Sequence, residues 1–397
     1  MGKAHKQYPI LRLKPNREAP LRNHHHAIFK PAVDRWPDAE DGAIVEVQSS
    51  SGEFLCFATL NKEAYVCARA IAFEKGDPLA TLQRNIEQSI AMREALLHGE
   101  DTTTYRLINA EGDGIPGLIV DKYDDILVVQ YTTLGMEKLR DFVQDILDSH
   151  SHPKGIFEKS RGFARQKEGL EKFEGWAKGD GSTDITVTER GVKFDISLSG
   201  GQKTGLFLDQ REMRSLVRSV AHGRTVLDCC SYVGGFAINA LLGGASAADA
   251  VDYDAKAIEK LKINMELNDI AQDRYGVFRQ DVFDFLRRSP LPRPYDFIIL
   301  DPPAFAKRSS DLDGAKRAYT DLNRMALSIL PSSGLLLTCS CSYQVNAELF
   351  QTIIFNAARQ AGRFVRIIER HRHASDHPIN LCHPEGDYLK SMLLWVE

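Results

Sequence analysis

Two apolar segments near the C-terminus each end in side chains that could take part in covalent chemistry. Residues 298–300 are followed by Asp301-Pro302-Pro303, and residues 336–338 are followed by Cys339-Ser340-Cys341-Ser342. In an open α/β sheet, ligands bind beyond the carboxyl ends of the strands. Two neighbouring strands that end in this way would aim a carboxylate and a thiol into one cleft. Such a pair could serve nucleophilic catalysis.

The elements that must position these groups are buried strands that alternate with helices in the C-terminal half of the chain. The pattern predicts strands over residues 225–228, 248–252, 275–278, 295–300 and 334–339. This alternation predicts an α/β fold with a parallel, doubly wound, Rossmann-like sheet. The carboxyl ends of its strands would then meet at one edge of the sheet.

Four of these strands end in an aspartate, and the four follow one another along the chain as Asp228, Asp252, Asp281 and Asp301. Asp252 could accept both hydrogen bonds from a ribose diol. Asp281, followed by Val282, could reach an adenine amine while the valine covers the ring. A single aspartate after a strand is usually a helix N-cap, whereas four in order favour a cofactor site.

The first strand leads into a tight turn, Ser231-Tyr232-Val233-Gly234-Gly235. Glycine lets a ligand approach the backbone, and the following helix N-terminus can receive a carboxylate or a phosphate. The turn matches neither G-x-G-x-x-G nor G-x-x-x-x-G-K-[ST]. The sequence therefore argues against a dinucleotide or a nucleoside triphosphate as the ligand.

The 397 residues exceed what a single hydrophobic core usually organises, so several domains are expected. Short strands separated by Pro, Gly and Asn predict a small β-barrel over residues 1–78. A central α+β domain over residues 79–198 would be closed by a hairpin that turns at Arg190-Gly191. The α/β domain would then occupy residues 199–397.

Charge and cysteine content exclude some classes of protein. The net charge of −4 argues against a uniformly basic nucleic-acid binder. The first 35 residues are nevertheless basic, and Arg12 and Lys14 among them could face phosphates, unless this segment is only a solvated arm. The seven cysteines form no C-x-x-C pair, so neither a disulfide framework nor a metal site is expected. The sequence contains no apolar stretch of the ~20 residues that a membrane span needs and no signal peptide, and a cytoplasmic protein is expected.

The order of these motifs resembles that of class I S-adenosylmethionine-dependent methyltransferases, and the resemblance extends over the whole chain. Residues 11–29 resemble the opening of a PUA RNA-binding domain. Residues 109–121 resemble the signature of the central domain in the bacterial 23S rRNA cytosine-C5 methyltransferase family, and residues 204–211 are similar to its entry into the catalytic domain. The resemblance implies S-adenosylmethionine as the cofactor and large-subunit rRNA as the substrate, and it leaves open a homodimer.

The resemblance also implies residue roles. It places the following residues around the cofactor: Phe207, Asp209, Gln210, Arg211, Asp228, Ser231, Tyr232, Val233, Gly234, Gly235, Asp252, Asp281, Val282 and Asp301. Substrate contacts are expected from Pro302, Pro303, Phe305, which could stack on a flipped base, and Lys307, together with Arg12 and Lys14.

Carbon 5 of cytosine is too weak a nucleophile to take a methyl group directly, so a thiolate must first add to carbon 6. Asp301 would contact N3 and the amine edge of the ring. The family's nucleophile corresponds to Cys341, although strand alternation alone does not separate Cys341 from Cys339, and both could be inert buried thiols. The base that removes the carbon-5 proton is unassigned, with water or Asp301 as candidates.

Two other functions fit part of the sequence. Asp301-Pro302-Pro303 also suits methylation of a base nitrogen in rRNA, which needs no covalent intermediate. A non-catalytic RNA-binding factor in ribosome assembly could retain the same cofactor fold.

Overall fold

The computed structural model describes residues 7–199, 205–306 and 308–397, which form two compact units. The N-terminal unit contains the described residues up to 183 together with 198–199 and 375–386. The C-terminal unit contains residues 184–197, the described part of 205–374, and 387–397. No helix within the described residues is both long and apolar enough to cross a membrane.

The N-terminal unit begins with a six-stranded sheet in the order β2-β6-β5-β4-β1-β3. One short helix lies between its first two strands in the chain. Its elements are β1 (Ile10–Leu13), α1 (Ala19–Arg22), β2 (Ala27–Phe29), β3 (Val33–Arg35), β4 (Ile44–Gln48), β5 (Phe54–Leu60) and β6 (Val66–Ala72). Strands β1 and β4 pair in parallel and the other neighbours are antiparallel. Alternate residues of β1 and β4, such as Leu11, Leu13, Val45 and Val47, are buried in the core of this sheet.

A five-stranded sheet in the order β11-β10-β9-β8-β7 and four helices complete this unit. The elements are α2 (Pro78–Leu96), β7 (Thr104–Asn109), β8 (Leu118–Tyr123), β9 (Ile126–Tyr131), α3 (Leu134–Lys138), α4 (Arg140–Ser151), β10 (Gly155–Ser160), α5 (Phe163–Lys167) and β11 (Phe173–Lys178). Helix α2 begins at Pro78 because Asp77 accepts a hydrogen bond from the Leu79 N–H over 3.0 Å.

The C-terminal unit is built around a seven-stranded sheet in the order β16-β15-β14-β17-β18-β20-β19, preceded by the β12–β13 hairpin. Its strands are β12 (Asp184–Glu189), β13 (Val192–Ser197), β14 (Thr225–Cys229), β15 (Ala247–Asp252), β16 (Tyr275–Arg279), β17 (Phe297–Leu300), β18 (Gly334–Ser340), β19 (Val365–His371) and β20 (Lys390–Val396). Its helices are α6 (Arg211–Val220), α7 (Gly235–Leu242), α8 (Ala255–Leu267), α9 (Val282–Leu286), α10 (Leu312–Ile329) and α11 (Ala347–Gln360).

The five strands that the sequence predicts form the parallel part of this sheet, which confirms the Rossmann-like fold. The sequence pattern did not predict β19 and β20. Strand β20 runs antiparallel to β18 and places Lys390 opposite Ser340. The sheet is therefore parallel only from β16 to β18.

The β12–β13 hairpin belongs to the C-terminal unit, which corrects the expectation that it closes the central domain. The Asp195 N–H donates to Asn264 Oδ1 over 2.6 Å, and Lys260 lies 2.8 Å from the Asp195 carboxylate. Glu189 forms a buried ion pair with Arg214. The hairpin thus finds its polar partners on α6 and α8. The division of the N-terminal unit at residue 78 stays a prediction.

Candidate active site

The turn after β14 brings backbone amides to the carboxyl edge of the sheet. Cys230, Tyr232 and Gly234 have positive φ angles of 62°, 49° and 87°, so the chain reverses within a few residues before α7 begins. The Gly234 N–H donates to Ser231 O over 2.8 Å, and the Tyr232 N–H donates to Asp252 Oδ2 over 2.8 Å. The ends of β14 and β15 are therefore tied together through this turn.

Asp228 lies beneath the turn. Its side chain is fully buried, and Oδ2 accepts a hydrogen bond from the Ala237 N–H over 2.9 Å. Burial raises the pKa of this carboxyl well above its usual range, and the nearby carboxylates of Asp301 and Asp252 raise it further. The Asp228 side chain therefore stabilises the first turn of α7 through this hydrogen bond.

Asp252 and Asp281 are held by backbone amides. Asp252 accepts from the N–H groups of Tyr232 and Asp254, at 2.8 and 2.9 Å. Asp281 is the N-cap of α9, and its Oδ1 accepts from the Phe283 N–H over 2.8 Å. Each carboxylate oxygen has further lone pairs, so both side chains retain acceptor capacity towards a ligand.

Residues 205–211 approach the same edge of the sheet. The Phe207 ring meets the Tyr232 ring edge-on with 5.2 Å between centroids, and the Tyr232 hydroxyl donates to Gly205 O. Asp209 accepts from the Tyr388 hydroxyl over 2.6 Å. Gln210 donates to Asp301 Oδ1 over 2.9 Å, and Arg211 is fully buried. Their binding of the cofactor stays a prediction.

These residues fit S-adenosylmethionine. Asp228 Oδ1 and Ser231 Oγ are buried and make no hydrogen bond with the described part of the chain, so the turn has polar atoms to offer a ligand. Val233 is buried, and Val282, 9 % exposed, lies next to Asp281. Backbone amides, carboxylates and apolar side chains together suit a molecule with an amino acid part, a ribose and an adenine.

The substrate half of the site lies at the ends of β17 and β18. Cys341 follows the last residue of β18, is partly exposed, and places Sγ 4.0 Å from Pro302 O. Cys339 is fully buried inside the strand, and its pKa is raised by burial and by the charge of Asp301. Cys339 lies near Asp301 and Gln210 but is fully buried. Of the two thiols, Cys341 is the partly exposed one, and it lies against the Pro302 carbonyl.

Pro303 is exposed. The loop that follows it is held in place by hydrogen bonds to Ser342. The Ala306 N–H donates to Ser342 Oγ over 3.2 Å, and the Tyr319 hydroxyl lies 3.0 Å from the same oxygen. Phe305 packs on Tyr319 with 4.6 Å between ring centroids. Phe305 is thus a partly buried wall of the site, whereas Lys307 lies outside the described residues.

Arg12 and Lys14 lie in the N-terminal unit, on β1 and just after it. Arg12 donates to Gln48 Oε1 over 3.1 Å, and Lys14 donates to Pro31 O over 3.0 Å. Lys14 is exposed and Arg12 is half-buried. Their contact with RNA stays a prediction.

One cluster in the N-terminal unit has side chains of the kinds that bind metals. His25 Nε2 and His383 Nε2 lie 3.3 and 3.8 Å from oxygens of Glu385. The two imidazole rings stack with 4.6 Å between centroids, and the Ala27 N–H donates to His25 Nδ1. The three candidate ligand atoms lie within 4.8 Å of one another. Because the histidines already contact Glu385 directly, we assign no metal to this cluster.

Sequence reasoning missed Lys390, which is buried beside Cys341. Its Nζ donates to Ser342 O over 2.7 Å and to Tyr388 O over 2.6 Å. The apolar run that follows, Ser391-Met392-Leu393-Leu394-Trp395-Val396, could have predicted a strand. Nothing local indicates that the lysine before it is buried.

Comparisons with known proteins agree with this geometry. Residues 158–387 match the family described as S-adenosylmethionine-dependent methyltransferase, and residues 11–73 match a PUA-like domain. The chain is 37 % identical to ribosomal RNA large subunit methyltransferase I of Aliivibrio fischeri, over 95 % of this chain and 97 % of the relative. The protein of the same name from Cronobacter sakazakii is 36 % identical, over 97 % of this chain and 98 % of the relative.

Solved structures with this fold include proteins of the same class. A protein from Streptococcus mutans described as a SAM-dependent methyltransferase matches with a TM-score of 0.83 and 25 % identity, over 97 % of this chain and 99 % of that one. A second structure with the same TM-score, identity and coverage is described as a putative methyltransferase complexed with S-adenosylhomocysteine. These relatives confirm the family that the motifs indicate. The chain is therefore an S-adenosylmethionine-dependent methyltransferase and belongs to the ribosomal RNA large subunit methyltransferase I family.

Proposed function

We propose that this enzyme transfers a methyl group to carbon 5 of a cytosine in large-subunit (23S) rRNA, and that Cys341 forms a covalent bond to carbon 6 of the base. The position of Cys341 carries this proposal: it is the partly exposed thiol after β18, its Sγ lies 4.0 Å from Pro302 O, and it stands at the same sheet edge as the cofactor turn. Membership of the rRNA methyltransferase family supports rRNA as the substrate.

The reaction balances with these groups. The thiolate of Cys341 adds to carbon 6, and the electron pair of the carbon 5–carbon 6 double bond moves into the ring towards N3. Carbon 5 then attacks the sulfonium methyl, forming a carbon–carbon bond as the carbon–sulfur bond of the donor breaks. Water or Asp301, the two candidates for the base, takes the carbon-5 proton, and the electron pair of that carbon–hydrogen bond restores the carbon 5–carbon 6 double bond as the thiolate is expelled. S-Adenosylmethionine supplies the methyl group.

Asp301 and Gln210 are assigned to orienting the base. The Gln210 amide fixes Asp301 Oδ1, and the second carboxyl oxygen can meet the exocyclic amine or N3 of cytosine. Pro302 and Pro303 have no N–H, and the Pro302 carbonyl oxygen lies beside the thiol. Phe305, Lys307, Arg12 and Lys14 are assigned to holding the RNA, the last two through its phosphates.

The decisive experiment uses rRNA fragments that carry 5-fluorocytosine, because fluorine at carbon 5 cannot leave as a proton and the enzyme remains attached. We expect a denaturation-resistant protein–RNA adduct with the wild type and with Cys339→Ala, and none with Cys341→Ala. Methylation without any adduct would favour a base N-methyltransferase. Absence of both methylation and cofactor binding would favour a non-catalytic assembly factor.

The setting of the enzyme follows from the same proposal. Because rRNA is its substrate, we propose that it acts in the cytoplasm. A homodimer is a further hypothesis, which light scattering coupled to gel filtration would test directly.

A further inference from the structure

Lys390 lies on the strand next to β18 and contacts the residues that flank Cys341. It is the first residue of β20, it pairs with Ser340 across the β18–β20 ladder, and its Nζ reaches the carbonyl of Ser342. The backbone of Lys390 is therefore fixed opposite the residue before Cys341, and its ammonium group is held against the residue after it. Lys390 Nζ donates a second hydrogen bond, to the Tyr388 carbonyl, over 2.6 Å.

A buried ammonium group normally pairs with a carboxylate, because an unpaired charge in a protein interior is costly. Lys390 is 7 % exposed, and no carboxylate of the described residues lies within 4 Å of its Nζ. The nearest acid in the chain, Asp387, instead pairs with Arg372 over 2.6 Å. Two carbonyl dipoles orient the lysine without neutralising it.

The titratable groups around this lysine are few. Burial lowers the pKa of Lys390 to about 8, while Cys341 and Asp387 act in the opposite direction. Cys341 is itself faced by Cys339 and by Tyr319, both of which are neutral at pH 7 because burial raises their pKa values. The Asp301 carboxylate, whose charge acts on Cys339, is the acid at this end of the sheet and opposes ionisation of a thiol there. The lysine is thus the cation that faces Cys341 among these groups.

We propose that Lys390 is a positioning residue that holds Cys341 as a thiolate ready to attack carbon 6 of the base. The proton of the thiol leaves to solvent, and the negative charge that remains on Sγ is compensated by the ammonium group. The same charge favours the thiolate again when it is expelled at the end of the reaction. This inference rests on the proposed role of Cys341 as the nucleophile.

The test is the pH dependence of alkylation of Cys341 by iodoacetamide, followed by mass spectrometry of the peptide that contains it. Only the thiolate reacts, so the midpoint of the curve reports its ionisation. We expect the wild-type midpoint to lie below the value of about 8.5 for an ordinary cysteine. In Lys390→Met we expect the midpoint to rise by about one pH unit and the rate at pH 7 to fall about tenfold.

Two variants control for a merely structural effect. Lys390→Arg keeps the charge and is expected to keep the midpoint low, whereas Lys193→Met removes an exposed lysine of the hairpin and should change nothing. Binding of S-adenosylhomocysteine, measured by calorimetry, reports whether each variant is folded. An unchanged midpoint in folded Lys390→Met overturns the proposal.

A measurement on the wild type keeps the test decisive if Lys390→Met does not fold. The thiolate absorbs near 240 nm, and the difference between the wild type and Cys341→Ala gives the titration of Cys341 alone. A midpoint at or above about 8.5 contradicts the proposal. Failure of the proposed function would look different, because Cys341→Ala would then still methylate RNA.

Discussion

The side-chain amide of Gln210 donates a hydrogen bond to Oδ1 of Asp301 over 2.9 Å. This bond joins the segment before α6 to the end of β17, so a residue of the cofactor motif orients a residue of the substrate motif. A carboxylate with one oxygen fixed in this way presents its second oxygen in a defined direction. We therefore expect Gln210 to act on the base through Asp301.

A double-mutant cycle tests this coupling. Gln210→Ala is expected to lower kcat/KM for RNA by about 10-fold to 100-fold, which corresponds to about 1.4 to 2.7 kcal/mol of transition-state stabilisation. In an Asp301→Asn background, the same substitution should have little further effect, because its partner is already altered. Equal effects in both backgrounds would show that Gln210 acts independently of Asp301. Steady-state kinetics with labelled methyl donor provide the measurement.

The two thiols of β18 should behave differently when each is replaced by alanine. Cys341→Ala is expected to lower the methylation rate by about three orders of magnitude or more, because the covalent route is lost. Cys339→Ala is expected to retain methylation. It should lose about 1 kcal/mol of unfolding free energy, because removal of the buried sulfur leaves a small cavity. The same two preparations serve for kinetics and for urea denaturation. The reverse pattern of activities would make Cys339 the nucleophile.

The parallel strands and their polar ends were predictable because both signals are local in the sequence. Each strand is a short apolar run, and Asp301 and Cys341 follow such runs directly. The sequence did not predict β20, whose pairing with β18 joins residues about fifty positions apart. Lys390 was missed with it, because a single lysine before an apolar run carries no sign of burial.

The four aspartates show a second limit of sequence reasoning. The sequence predicted them as one row of cofactor ligands. In the structure, Asp281 caps α9 and Asp228 is buried under the turn, while Asp252 accepts from two backbone amides and Asp301 from Gln210. Their roles as cofactor ligands stay a prediction. A carboxylate at a strand end is visible in the sequence, but its hydrogen-bond partner depends on the turn that follows.

The cofactor turn should not tolerate a side chain at Gly234. Its φ of +87° is unfavourable for other residues, and a Cβ there would lie 2.8 Å from Leu261 Cγ. Gly223 is a matched control, since its φ is +73° and nothing lies within 4 Å of its Cβ position. Both alanine variants should lose about 1 to 2 kcal/mol through backbone strain. In urea denaturation, we expect Gly234→Ala to lose more unfolding free energy than Gly223→Ala. We also expect Gly234→Ala to bind S-adenosylhomocysteine more weakly. Equal losses of unfolding free energy would contradict the crowding at Leu261.

The ion pair between Glu189 and Arg214 should be important for the stability of the C-terminal unit. Arg214 Nε and Nη2 lie 2.6 and 2.5 Å from the two oxygens of Glu189, and both side chains are almost fully buried. Glu189→Gln would leave a buried guanidinium without its charge partner and should cost about 3 to 5 kcal/mol. The exposed pair of Asp313 and Lys316 is the control, because Asp313→Asn should cost less than about 1 kcal/mol. Chemical denaturation measures both, and similar costs would argue against the buried geometry.

The raised pKa of Asp228 predicts a pH dependence of stability with a definite sign. In the folded protein, burial and the neighbouring carboxylates hold the proton on this carboxyl to higher pH than in the unfolded chain. Between the unfolded and folded pKa values, the native state binds more protons, so the contribution of Asp228 to stability is present at low pH and is lost as the pH rises.

Asp228→Asn has nearly the same shape and does not titrate. The free energy of unfolding of the wild type minus that of Asp228→Asn should therefore fall as the pH rises above about 4, by at most about 1.4 kcal/mol per pH unit. Urea denaturation of both proteins at several pH values between 4.5 and 8 gives this difference. A difference that does not change with pH would mean that Asp228 ionises alike in the folded and unfolded chain, which its complete burial argues against.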